Sequence, residues 1–149
     1  MKKLLLIVLT VALLTLTLCS CGNSVLPIDE AEVALEDAGY KVEAYTPKSP
    51  KAGEPVAELC AAEKQGLSAS ELADIDGDGF FAAKNQIMIL YFEDDAAAED
   101  AFNKVEKETL EFIEELLDDG DIDADPGFEI DQIGSAIVIG TADAIDIVS

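Results

Sequence analysis

Ile87-Met88-Ile89-Leu90-Tyr91-Phe92 carries an apolar side chain at every position. Both faces of such a segment need burial, and a strand in the middle of a sheet provides it. Upstream, residues 80–84 read as a partner strand joined tightly to it through Asn85 and Gln86. Downstream, Asp94 or Asp95 is placed to cap a long helix over about residues 96–117. Its apolar stripe runs through Ala98, Phe102, Val105, Thr109, Phe112 or Ile113, and Leu116, while Glu99, Asp100, Glu106, Glu108, Glu111 and Glu115 crowd the other side. Pairs at i,i+4 such as Asp100 with Lys104 and Lys107 with Glu111 relieve that acidity by a few tenths of a kcal/mol each, at about 0.2–0.5.

The flanking segments are shorter. Asp29 opens a helix whose Ala31, Ala34, Leu35 and Ala38 share helical spacing, and Gly39 closes it. Residues 41–45 alternate as a half-buried strand does, with Val42 and Ala44 on one side. Residues 46–55 hold Pro47, Pro50, Gly53 and Pro55 and read as a loop. Residues 54–64 read as an amphipathic helix carrying Cys60, and Ser70 is placed to cap a further turn. Beyond an acidic turn over residues 118–127, residues 128–132 alternate as an edge strand, and a Gly134-Ser135 link pairs them with the apolar residues 136–139. Thr141 then caps a short helix.

This order has few obligatory parallel crossovers. The expected fold is α+β, a mostly antiparallel sheet of about four to five strands packed with about three to four helices, in one domain over residues 28–149. Residues 87–92 and 136–139 are apolar on both sides, so the second face of the sheet also needs a cover. Either the chain's own helices supply it, or a partner surface does.

Half of the residues are apolar, which favours folding over disorder. The charge is −23, and loss of the two leading lysines leaves seven lysines against 32 acids, a net −25. With no arginine and no basic stripe, nucleic acid and anionic lipid surfaces are poor partners. Cationic ligands or divalent cations suit the chain better, although high charge by itself explains solubility.

The beginning of the chain concerns delivery. Lys2 and Lys3 precede an apolar run, residues 4–18, that is 15 residues long and contains Thr10, Thr15 and Thr17. A membrane-spanning helix needs about 20 apolar residues. The run fits the hydrophobic region of an export signal. Leu18-Cys19-Ser20-Cys21 then resembles the lipobox of bacterial lipoproteins, with Leu18 three positions before Cys21 and the small Ser20 directly before it. Cys19 fits less well, because bulky Leu18 precedes it.

The resemblance implies a signal over residues 1–20, diacylglyceryl modification of Cys21, and a short tether over residues 21–27. Localisation would be at the cell membrane, lipid-anchored and facing the extracytoplasmic side. Two acyl chains suffice for stable anchoring, at about 0.8 kcal/mol per buried CH₂. In general layout the chain is similar to small surface lipoproteins of unassigned function. Cys60 is then the one unmodified cysteine, so the domain has no disulfide framework. With no histidine to activate it, Cys60 reads as a small buried hydrophobe.

One internal motif stands out, Asp74-Ile75-Asp76-Gly77-Asp78-Gly79-Phe80-Phe81. Acids at positions one, three and five with glycine at six resemble the calcium loop of EF-hands and dockerins. The resemblance implies weak Ca²⁺ binding through the side chains of Asp74, Asp76 and Asp78 and the carbonyl of Phe80. The twelfth position is Asn85, which lacks the closing bidentate carboxylate. Asp-Gly turns also occur for local backbone reasons. A second acidic run over residues 119–125 lacks glycine at the sixth place.

Catalysis has little to work with. Without histidine there is no Ser-His or Cys-His pair and no imidazole ligand, and no Walker or dinucleotide-binding fingerprint occurs. The expected function is therefore binding without catalysis or resident cofactor, with an envelope protein or cationic ligand as partner. The alternatives are a calcium-dependent surface module and a carboxylate-based hydrolase.

Overall fold

The doubly apolar segment forms β3 (Gln86–Tyr91), the middle strand of a five-stranded sheet. β2 (Ala57–Glu63) and β5 (Ala136–Gly140) flank it, and β1 (Tyr40–Tyr45) and β4 (Glu129–Ile133) are the edges, in the order β1-β2-β3-β5-β4. All four pairings are antiparallel. The helices are α1 (Ile28–Asp37), α2 (Ala69–Leu72), α3 (Asp78–Ala82), α4 (Asp95–Asp119) and α5 (Ala142–Val148). The structure, a computed structural model, describes residues 24–75, 78–119 and 127–149. The α+β architecture is as expected, with five strands and five helices among the described residues.

Two elements differ in kind from their sequence reading. Residues 57–63, expected in a helix, form β2, because pairing with β1 on one side and β3 on the other satisfies the backbone along the strand. Residues 80–84, expected as a strand, instead lie mostly in α3 (Asp78–Ala82). β2 already occupies the place beside β3, and Phe80 and Phe81 turn their rings into an aromatic cluster with Phe128. Ser68, not Ser70, caps α2, in a capping box with Glu71. The hydrogen bonds from Ser68 hold the Glu71 carboxyl below its ordinary value. On α4, Lys107 pairs with Glu111 at 3.4 Å as expected, whereas Lys104 pairs forward with Glu108 at 3.7 Å.

Other boundaries follow local chemistry. Asp94 Oδ1 accepts from the Ala97 amide at 2.8 Å and starts α4. Gly39, at φ 95°, ends α1 in a conformation that only glycine adopts without strain. Gly134, at φ 61°, makes the tight turn of the β4–β5 hairpin.

Side chains alternate across the sheet and define two layers. On the first face, Val42, Leu59, Ala61, Ile87, Ile89, Ala136 and Val138 are buried beneath Ala31 and Leu35 of α1 and Ala144, Ile145 and Val148 of α5. On the second face, Ile137, Ile139 and Phe92 are buried with Ala98 of α4, and Phe102, Val105, Phe128 and Ile130 pack against them. Ala62, Ile75, Ala83 and Leu67 close the corner beside α2 and α3.

The chain enters at the first layer. The Leu26 amide donates to the Val148 carbonyl at 2.8 Å, and the Tyr91 hydroxyl donates to the Leu26 carbonyl at 2.9 Å. Burial pushes the Tyr91 phenol up to about 12. Between the unfolded value of about 10 and this one, the unfolded chain loses a proton that the folded chain keeps, so stability falls as pH rises. Tyr91→Phe is expected to cost about 1 kcal/mol at neutral pH through the lost hydrogen bond. It should also make the decline between pH 10 and 12 shallower, as read from urea melts across that range. Tyr40, raised by burial and then by the Glu63 and Asp143 charges, retains its own share of the decline.

Candidate functional site: an apolar cavity on the second face

Strand register lays out the floor of the second face in rows. One row crosses all five strands as Glu43, Cys60, Met88, Ile139 and Ile130. The next runs Tyr45, Glu58, Leu90, Ile137 and Gln132. In both rows the charged side chains, Glu43 and Glu58, stand on β1 and β2, while β3 and β5 contribute only apolar ones. The division follows from the cover, because α4 packs on the β4 and β5 side of this face and leaves the outer side of β1 open.

α4 is 25 residues long, about 37 Å at 1.5 Å per residue. The strands, at five to seven residues, span only about 17–23 Å. Ala98, Ala101, Phe102 and Val105 rest on the sheet. Further along the same stripe, Thr109, Phe112, Ile113 and Leu116 roof a cavity of about 470 Å³ whose floor is Cys60, Met88, Leu90 and Ile139. Its side wall is aromatic. Phe80 and Phe81 meet edge to face at 5.3 Å, Phe128 lies 5.8 Å from Phe80, and Phe112 lies 5.9 Å from Phe81.

The volume is within the range of small-molecule sites, about 300–1,000 Å³. Polar groups on the lining are few: Glu108, Thr109 and the Cys60 thiol. Phe112, at 49% exposure, carries the apolar lining out to the mouth. A second groove of about 420 Å³ adjoins the cavity. It shares Cys60 and Met88 with it and continues over Glu43, Tyr45 and Glu58.

The sequence-predicted site residues are spread more widely. Cys60 lies on β2, not on a helix, and faces both cavities. Phe80 contributes its ring to the cavity wall, and only 5% of it is exposed. Asp74 is exposed after α2, and Asp78 is the first residue of α3. A helix therefore begins at the fifth position of the acidic motif, where a calcium loop would still be wrapping its ion. Cys21, Asp76 and residues 120–126 lie outside the described residues. Among the described residues no group of three metal-ligating side chains is assembled.

Sequence reasoning placed Val105, Thr109, Ile113 and Leu116 on one helical stripe but assigned that stripe to core packing. The available signal was Thr109, a short polar residue in the middle of it. Among the described residues, no helix is long and apolar enough to cross a membrane. No family model, curated protein or solved structure matches the chain.

Proposed function

We propose that the protein is a membrane-anchored extracytoplasmic lipoprotein, held through Cys21, whose domain binds an apolar ligand without catalysing its conversion. The observation that supports binding is the cavity of about 470 Å³ between the second face of the sheet and α4. A cavity lined mainly by Met88, Leu90, Phe80, Phe128 and Ile139 gains favourable free energy when an apolar group displaces water from it, at about 25 cal/mol per Å² removed from solvent. The same lining offers little to a reaction. Glu108 is exposed at the rim and ion-paired to Lys104, so the cavity does not hold two inward carboxylates among its described lining.

The test uses the neutral probe N-phenyl-1-naphthylamine, whose emission rises in apolar surroundings. Saturable enhancement is expected with the wild-type domain. Thr109→Phe places a ring in the cavity from its roof and should weaken binding at least tenfold. Leu116→Phe should act in the same direction, and thermal melts establish that both variants are folded. No saturable enhancement with the wild-type protein, or unchanged affinity in both folded variants, would refute the assignment.

A further inference from the structure

The groove adjoining the cavity adds two carboxylates, Glu43 and Glu58, to an otherwise largely apolar lining, and the two are joined at atomic range. Glu58 pairs across the ladder with Leu90, which lines the cavity, and directly opposite residues in antiparallel strands hold their Cβ atoms about 4.5–5.5 Å apart. Tyr45 is the cross-strand partner of Glu58 on its other side, and the residue is 63% exposed. A carboxylate beside an aromatic ring, at the end of an apolar cavity, is a receptor for a cation carried on a hydrocarbon body.

The ion pairing singles out Glu58. Glu43 is held by Lys41 at 3.3 Å and Glu108 by Lys104 at 3.7 Å. Glu58 is half-buried and has no ion-pair partner among the described residues. Charges in such partly buried settings are screened less than those on open surface. An anionic head group on the same hydrocarbon would instead meet Glu58 and Glu43 on a chain of net charge −23.

We propose that the ligand is a cationic amphiphile, its hydrocarbon chain seated under α4 and its ammonium-type head between the Glu58 carboxylate and the Tyr45 ring. The proposal rests on the cavity reading above and adds the charge of the ligand to it. It also gives the acidic balance of the protein a role in attracting that ligand.

Isothermal titration with decyltrimethylammonium, 1-decanol and decanoate, each below its aggregation concentration, separates the two readings. The cation is expected to bind about tenfold more tightly than decanol, with decanoate weakest. Glu58→Gln should remove most of the preference, read as the ratio of cation to decanol affinity in the same variant. Glu32→Gln, half-buried on α1, removes the same charge from the other layer and should leave the preference intact.

Equal binding of all three probes would overturn the proposal and leave the apolar cavity standing. So would equal losses in the Glu58 and Glu32 variants, which would assign the preference to net charge. Failure of all three probes to bind would remove the cavity reading as well.

Discussion

Gly140→Ala is expected to lower the thermal midpoint by roughly 10 °C, corresponding to about 3 kcal/mol, near the upper end of the usual overpacking cost. A Cβ at this position would lie 2.6 Å from the Gln86 carbonyl oxygen and 2.9 Å from the Ile87 Cα. Both are backbone atoms of the central strand, so no side-chain rotation relieves the contact. The close approach has a structural purpose. It lets the Thr141 amide donate to the Gln86 carbonyl at 2.9 Å and turns the chain from β5 into α5, which covers the first face. Differential scanning calorimetry of the variant checks this, and a midpoint within 2 °C of wild type would contradict the packing described.

Cys21→Ser is expected to abolish lipid anchoring of the processed protein. With acyl chains on Cys21, the wild-type protein should sediment with membranes through a high-salt wash and be released by detergent. The serine variant should appear in the soluble fraction or persist as unprocessed precursor, since a hydroxyl cannot form the thioether. Cys19→Ser should behave as wild type. Cell fractionation with mass spectrometry of the amino-terminal peptide reads both variants. An unmodified Cys21 thiol in the membrane-associated wild-type protein would refute the anchor.

The central strand and the long helix were both readable from periodicity, and for a shared reason. Ile87, Ile89, Met88 and Leu90 demand cover on two faces, and α4 repeats its apolar positions over many turns, so local pattern and tertiary environment agree. The sequence of β2 contradicts its environment. Ala57-Glu58-Leu59-Cys60-Ala61-Ala62-Glu63 contains no β-branched or aromatic residue and consists largely of good helix formers. Its conformation is imposed by neighbouring strands that lie far away in sequence. α3 shows the converse, with Phe80 and Phe81 favouring a strand in isolation but serving here as a wall.

The cavity was the least readable feature. Its lining combines Cys60, Met88, Phe112 and Phe128, which come from four separate elements or connections and meet only after the sheet and α4 are assembled. A single-segment pattern records that a residue is apolar. It does not record whether the space beside that residue is filled.

The hydrogen bond between Leu26 and Val148 joins residues about 120 positions apart, and α1 and α5 seal the same layer. Contacts of such long sequence separation form late, because a large loop must close before they bring any gain. A chain threaded outward from its amino end would therefore keep the inner surface of its sheet wet until residues 142–148 had emerged. For the exported lipoprotein proposed above, completion of this layer would follow emergence of those residues, and would call for protection of the waiting strands from neighbouring chains in the interval.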